Sequence, residues 1–545
     1  MSIKNTYKFR PNIDIGSLDA ENDKLLINAF VEKNEFQLLK EFENNKCIVL
    51  GRTGSGKSAL LKYLETSNSN IKRIDPQSMS LRHLSNSTII NYFKSYEVNL
   101  DLLFKVLWRH VFIVEIIKLI YGTDIPKSKR YLEWIKEKAK NDKSRKIAID
   151  YLAKWEDHFW EHTEHRIKEI EKKVESNYYK AIEGEDEIFK LQNDEIKEHP
   201  QYGRIKEVIK YKAEKVINES QVEALKGILD ILKEDILKKS QKKYYIIIDD
   251  LDKEWVANTI VYDLIKALFE TIKEFTAMPN LKIIIALRSN IHKKIFKENV
   301  SRGIQREKYN DMYLDIIWSR EELELLINNR LRELMRAQYT NETPKIEDIL
   351  PDESKREKSG FDYILDRTFN RPRDIIDFFN KCFKYANGKT KISREIIKQA
   401  EVDYSVERLN ALEDEWLENY GKMDVIFSFL KGCKNGFSLI DIKTKAEESF
   451  LEQLTTDKVK LLTNKELKCF FDNFAKNLEV MPLLKKILHL LFDVGIIGIK
   501  ITPQDSIQFA SNSHNVFNID EINEETKFYV HKMFVRALKI IQIDN

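Results

Sequence analysis

The pattern of apolar and polar positions divides the chain into two kinds of segment. Three short runs are apolar without alternation: Ile48–Leu50, Tyr244–Ile248 and, apart from Lys282, Leu281–Leu287. A strand with one wet face alternates, so unbroken runs of this length predict strands buried on both faces, as in a parallel sheet. Most of the remainder repeats at helical spacing. Ala59, Leu60, Leu61, Tyr63 and Leu64 predict a helix directly after the first run. Further helices are predicted over 102–121, 128–140, 147–175 and 213–239, between the first two strands. The stretch 165–177 (HRIKEIEKKVESN) reads as a helical hairpin or coiled-coil arm. Residues 319–340 open with Ser319-x-x-Glu322, a capping box that starts a helix. A connector helix is expected over 402–420 and an apolar helix over 483–492. Residues 496–501 and 507–510 read as two strands of a wing, followed by Phe528–Phe534.

This order predicts an α/β core, a parallel sheet with helices on both faces, made from residues 1–95 and 226–315. A helical insertion over 96–225, a helical lid and connector over 316–420, and a winged-helix-like domain over 421–545 complete the expected plan. The chain has 545 residues, ample for several cores. Only 16 glycines and 10 prolines interrupt it, which suits a helix-rich protein. Charged residues make up 33%, yet 91 basic against 88 acidic side chains leave only +3, so any nucleic-acid surface must be local. The four cysteines, Cys47, Cys382, Cys433 and Cys469, form no CxxC pair, which argues against a disulfide framework or zinc site and fits a reducing cytoplasm. The window 107–121 is too charged to span a bilayer and the amino terminus lacks a signal-peptide core, so no membrane partner is expected.

One segment carries specific chemistry. Cys47-Ile-Val-Leu-Gly51-Arg52-Thr53-Gly54-Ser55-Gly56-Lys57-Ser58-Ala59 fits G-x-x-x-x-G-K-[ST] between a strand and a helix. Glycines let backbone N–H groups converge on phosphate oxygens, and the helix start adds partial positive charge. Gly51 through Ala59 are therefore the expected phosphate-binding set. Lys57 is expected to reach the β- and γ-phosphates of ATP, and Ser58 to hold Mg²⁺.

The second run ends in Asp249-Asp250-Leu-Asp252-Lys-Glu254. Mg²⁺ prefers hard oxygen ligands, so Asp249 is the expected metal or outer-shell carboxylate and Asp250 the group that orients the attacking water. Asp252 and Glu254 can serve instead. The third run ends in Arg288-Ser289-Asn290, where Arg288 or Asn290 can sense a γ-phosphate, in cis or from a neighbouring subunit. Arg371 and Arg373, flanking Pro372 at a helix start, can bridge nucleotide to lid, and Arg302 and Arg306 are weaker arginine-finger candidates.

These elements together resemble the AAA+/STAND-like branch of P-loop ATPases, which includes the KAP group, and more closely a bacterial P-loop ATPase family of that KAP-related type. The likeness also rests on Asp19-Ala-Glu21-x-Asp23 with Phe30-Val31, on Arg371-Pro-Arg-Asp-Ile-Ile-x-Phe-x-Asn380, and on Ala400-Glu401-x-x-Tyr404-Ser405-x-x-Arg408-Leu409 with Glu415-Trp416. It covers about residues 10 to 420. It implies ATP hydrolysis with Mg²⁺, a homo-oligomer, and genes carried by mobile elements and anti-phage defence islands. The membrane-spanning insert of some KAP proteins is absent.

Three functions stay open on the sequence. The first is a nucleotide-driven switch or assembly ATPase gating a separate effector. The second is a DNA-binding, initiator- or transposition-helper-like ATPase. The third is a non-hydrolysing module that binds ATP structurally. Double-stranded DNA could be held by residues 127–146, which carry nine basic side chains with Tyr131 and Trp134 among them, or by the C-terminal domain, where Lys485, Lys486 and His489 are candidates. No zinc spacing and no Gly-x-Ser-x-Gly elbow is present, and Glu171-Lys-Lys173 and Glu195-Ile-Lys197 read as helix surface.

Overall fold

The computed structural model describes residues 7–76, 100–122, 142–155, 159, 222–251, 258–298, 306–338, 344–355, 357–421, 423–455, 467–510 and 519–542. The chain divides into two units: a sheet unit of Glu32–Arg52 with Lys57–Ile316, and a helical unit of Met1–Val31, Thr53–Gly56 and Ile317–Asn545.

In the sheet unit the three apolar runs become β1 (Ile48–Gly51), β3 (Tyr244–Ile248) and β4 (Leu281–Arg288), joined by β2 (Ile71–Ile74) and β5 (Tyr313–Asp315). They form one parallel sheet in the order β2-β3-β4-β1-β5, an α/β core. Every residue of β1 and β3 is buried, as unbroken apolar runs require. Helices α1 (Asn34–Lys40) and α2 (Lys57–Ser67) belong to this unit, as do α3 (Asp101–Tyr121), α4 (Lys143–Trp155), α5 (Val222–Ile231), α6 (Asn258–Phe275) and α7 (Ser289–Glu298).

Helix α3 shares the sheet's core. Phe104, Trp108 and Phe112 are buried with Ile246, Ile248 and Ile285. It runs parallel to α6 under a ladder of ion pairs every fourth residue: Asp101 with Lys266 (3.0 Å), Lys105 with Glu270, and Arg109 with Glu274 (2.6 Å). The Trp108 indole donates to the Leu264 carbonyl at 2.9 Å, so the ring is both packed and satisfied. Among the described residues no helix is long and apolar enough to cross a membrane.

In the helical unit, α8 (Arg320–Gln338) begins at the expected capping box. Ser319 N–H donates to Glu322 Oε2 at 2.9 Å, and Glu322 N–H to Ser319 Oγ at 3.2 Å. Helix α9 (Pro372–Tyr385) has proline at its first position, and α10 (Arg394–Tyr420) is one unbroken helix. Residues 7–31, over 300 positions away in sequence, are pinned to these helices. Phe9 N–H donates to the Lys389 carbonyl (2.9 Å), and Asn380 brackets Ile15 N–H (2.8 Å) and the Gly16 carbonyl (3.0 Å). Arg330 donates to Asp23 at 2.6 Å and to the Ile15 carbonyl at 2.7 Å, with both charged side chains nearly fully buried.

The C-terminal part contains α11 (Leu439–Thr455), α12 (Lys468–Asn477) and α13 (Val480–Val494), then an antiparallel pair, β6 (Ile497–Lys500) with β7 (Lys527–Val530). This corrects the pairing read from the sequence. Residues 507–510 contribute a single bridge, Gln508 to Ile499, and the regular partner lies about twenty residues further on. Phe528 and Val530 bury alternate positions of β7 in the core, whereas Ile507 is 43% exposed.

The expected arm at 165–177, the helix at 128–140 and residues 127–141 of the basic stretch lie outside the described residues.

Breaking a buried ion pair strands the remaining charge, at a cost of about 3–5 kcal/mol. Asp23→Ala is therefore expected to shift the urea midpoint of the helical unit's transition strongly downward. An unchanged midpoint would show that the pair does not hold the N-terminal segment.

Candidate functional site: a glycine-rich loop and two carboxylates

Strand β1 ends at Gly51 and helix α2 starts at Lys57, so the motif forms the expected strand–loop–helix turn. In the sheet unit, the Lys57 ammonium donates back to the Gly51 (2.9 Å) and Arg52 (3.0 Å) carbonyls. Ala59 lies in the first turn of α2.

The loop apex, Thr53–Gly56, is held within the helical unit through its carbonyls. Arg371 Nη1 donates to the Thr53 carbonyl. Arg373 N–H donates to the Gly54 carbonyl at 3.3 Å, and Trp318 Nε1 to the Ser55 carbonyl at 2.8 Å. A peptide plane carries its C=O and the following N–H on opposite edges. Tethering these three carbonyls therefore turns the N–H groups of Gly54, Ser55 and Gly56 away from the tethering side chains. Gly54 has φ +79°, and a Cβ there would come within 2.7 Å of Arg373 Cβ, so only glycine fits.

Several buried polar atoms around this apex lack a hydrogen-bond partner: Thr53 Oγ1, Ser55 Oγ, Arg371 Nη2 and Arg373 Nε. Buried polar groups are normally paired, so such a cluster marks a place where a polar ligand fits. The charge favours an anion. Arg371 donates to Asp374 at 2.7 Å and lies 3.9 Å from Glu415, while Arg408 reaches Asp374 at 3.4 Å. With Arg373, three guanidinium groups face two carboxylates. Burial, and then the nearness of Arg371 and Arg408, push the Arg373 pKa below its ordinary value.

In the sheet unit, Asp249 and Asp250 follow the last residue of β3. Register places Ile248, Ile285 and Ile48 in one row, with Arg288 opposite Gly51 at the far end of β4. The carboxylates and the loop thus leave the same, C-terminal, edge of the sheet, where α/β proteins bind ligands. Asp249 accepts from the Ser58 hydroxyl, from Asp250 N–H at 2.9 Å and from Arg73 Nη2 at 3.3 Å. Burial nevertheless pushes its pKa above the usual carboxylate range. Such a carboxylate favours a proton or a metal cation. Among the described residues no three His, Cys, Asp or Glu gather as a metal cage, but Mg²⁺ commonly takes one or two protein oxygens and completes its shell with phosphate and water. Ser58 and Asp249 suit that arrangement.

Asp250 adopts φ +60°, an uncommon conformation that aspartate tolerates better than most residues. Asn290 sits in the first turn of α7, and Arg306 begins a 3₁₀ turn, Arg306–Met312. Asp252, Glu254 and Arg302 lie outside the described residues. In the C-terminal part, Lys485 donates to the Ile522 carbonyl (2.9 Å), Lys486 lies over the Phe470 ring, and His489 lies 3.4 Å from Asp493.

Sequence reasoning missed Trp318 and Arg73. Trp318 adjoins the capping box, and an aromatic beside a helix start is too common to signal a loop contact. Arg73 lies on a four-residue strand, Ile71–Ile74, too short and polar to stand out.

Residues 321–413 match the FunZ-associated C-terminal helical domain, a span that includes Arg371, Arg373 and Arg408. The chain is also similar to the transposon gamma-delta 80.3 kDa protein of Escherichia coli (strain K12). The two are 25% identical over 559 aligned positions, covering 99% of this chain and 68% of that protein. This distant likeness points to an association with mobile elements.

Asp249 yields a signed expectation. A carboxyl whose folded pKa is raised stabilises the fold below its unfolded value, and that contribution is lost as pH rises through the folded value. At pH 7 the ionised, buried group is a cost. Asp249→Asn is expected to raise the melting temperature in EDTA at pH 7, with the gap to the parent narrowing as pH falls. A lower melting temperature for the variant at both ends of the range would contradict this.

Proposed function

We propose that the chain is a Mg²⁺-dependent P-loop ATPase that works as a nucleotide-driven switch or assembly ATPase in a mobile-element or anti-phage system. The observation that carries the reading is the loop apex. Its carbonyls are tethered on one side, and buried polar atoms without partners lie around it. The strand–loop–helix order and the paired carboxylates on the same sheet edge support a P-loop NTPase fold.

In this reading ATP is the substrate and water attacks its γ-phosphate in line. Phosphoryl transfer asks the protein mainly for positioning and charge stabilisation. Backbone N–H groups of the loop bind the phosphates. Lys57, released from the Gly51 and Arg52 carbonyls, neutralises charge on the β- and γ-phosphates. Ser58 and Asp249 hold Mg²⁺, which supplies Lewis-acid neutralisation of the developing charge. Asp250 orients the water. Arg288, or Arg373 with its unpartnered Nε, completes the charge balance at the γ-phosphate, and Arg371 holds the loop apex.

A homo-oligomer and a separate effector belong to this reading. A second reading, a DNA-binding ATPase of the initiator or transposition-helper kind, is favoured by the likeness to a transposon protein. The helices α11 to α13 followed by the β6–β7 pair support a winged-helix-like module that would serve it.

The test is phosphate release from ATP with Mg²⁺ by the whole protein, with and without duplex DNA. Lys57→Ala and Asp250→Asn are each expected to lower turnover at least 100-fold, a loss typical of removing one charge-stabilising or proton-handling group. Stimulation by DNA would favour the second reading. Tight ATP binding without any turnover would leave the non-hydrolysing module, and Lys57-independent ATP binding would overturn the assignment of the loop.

A further inference from the structure

A second positively charged site lies in the helical unit, remote in sequence from the glycine-rich loop. A cavity of about 520 Å³ is lined by Arg367, Glu401, Lys532, Arg536, Lys539 and Gln542, with Val535 and Ile540 supplying apolar wall. Glu401, on α10, is buried and organises it. Its Oε1 accepts from Arg367 Nε at 2.7 Å, and its Oε2 accepts from the Tyr363 hydroxyl at 2.7 Å and lies 3.5 Å from Arg536 Nε. Arg367 is fixed further by the Tyr363 carbonyl (3.0 Å) and by the Tyr363 ring beneath its guanidinium. Lys532 lies 2.6 Å from Asp366, which also receives Lys358 at 2.9 Å. Four cations, Arg367, Lys532, Arg536 and Lys539, line the cavity against Glu401 and the Asp366 partner of Lys532, an excess of two positive charges around one concave space.

The donors left over point to the ligand. Among the described residues Arg536 pairs only through its Nε, which leaves the two terminal nitrogens of its fork for a bidentate partner. Planar guanidinium groups suit phosphate in this way, and lysines add point charge. Lys539 makes no ion pair among the described residues and sits in the left-handed region at φ +50°. A strained lysine on a cavity rim is a conformation the surrounding structure must hold in place. Ala537 N–H, donating to Ser405 Oγ at 3.0 Å, fastens the same segment to α10.

We propose that this cavity is a binding site for a phosphate group, belonging either to a nucleic-acid backbone or to a free nucleotide or phosphate. The site is independent of ATP hydrolysis. A concave surface of one sign concentrates the field, so the excess charge acts more strongly here than on an open face.

The test uses full-length Lys57→Ala protein, in which the glycine-rich loop no longer competes for phosphate. This background is compared with the same protein carrying Lys532→Ala and Lys539→Ala. Both lysines are exposed, so both proteins are expected to fold, and a melting curve checks it. A labelled 20-base-pair duplex is titrated by anisotropy across a salt series, and inorganic phosphate and AMP by calorimetry. The expected result is at least tenfold weaker binding in the double-lysine variant for one of these probes. If the probe is duplex, the plot of log affinity against log salt becomes shallower by about 0.9 for each phosphate that the variant no longer neutralises. Lys539→Arg should retain binding. Weakened duplex affinity alone identifies a backbone phosphate, and weakened phosphate or AMP affinity identifies a free ligand. The proposal is overturned if the two proteins bind every probe equally, or if the Lys57→Ala background binds none of them.

Discussion

The three hydrogen bonds that hold the carbonyls of Thr53, Gly54 and Ser55 are the constraint on which the functional reading depends. A glycine-rich loop is conformationally permissive, and permissiveness alone does not make an anion site. Fixing the carbonyls fixes the directions of the N–H groups, and preorganised donors need no reorganisation when charge arrives. The tether also reaches back into the fold. Arg371 is held by Asp374, which is fully buried, accepts a further hydrogen bond from Phe369 N–H (3.0 Å) and lies in an ion pair with Arg408 on α10 (3.4 Å). A movement of α10 therefore has a short, charged path to the loop: Arg408, Asp374, Arg371, Thr53. A switch that couples nucleotide state to the helical unit needs such a connection.

The carboxylates at the sheet edge show a complementary arrangement. Asp249 is buried at a cost to the fold, relieved in part by Ser58, Asp250 N–H and Arg73. Asp250 is held in a left-handed conformation beside it. Both features lower stability where they stand, and such strain concentrates at functional positions. Lys57 is likewise anchored to two backbone carbonyls, so its ammonium is solvated by protein rather than left bare. None of the three residues is placed where packing alone would put it.

Much of this was legible in the sequence, for definite reasons. Near-continuous apolar runs announced β1, β3 and β4 because a strand buried on both faces shows few polar positions; the exception, Lys282 of β4, is buried with its ammonium donating to the Leu38, Glu41 and Asn44 carbonyls. The clustering of glycines at 51, 54 and 56 stood out in a glycine-poor chain. Ser319 with Glu322, and Pro372, marked two helix starts through chemistry that acts within three residues. The short strands Ile71–Ile74 and Tyr313–Asp315 were not legible, because four and three residues leave no pattern to read. Nor was the β6–β7 pairing, since β7 lies about thirty residues beyond β6 and no local rule links them, while the nearer segment meets β6 only in the bridge of Gln508 with Ile499. The tethers from Trp318 and Arg371 cross more than 250 positions of sequence, and no local rule encodes them.

The most direct test of the central claim is the affinity of the whole protein for ATP with Mg²⁺ after Trp318→Phe, measured by calorimetry. Phenylalanine keeps an aromatic ring at the position and removes the N–H that holds the Ser55 carbonyl, together with part of the indole's packing area. One such bond contributes about 1 kcal/mol, so the account predicts roughly fivefold weaker binding in a variant whose melting curve shows that it is folded. Affinity equal to that of the parent would contradict it, because the loop would then hold its geometry without the tether.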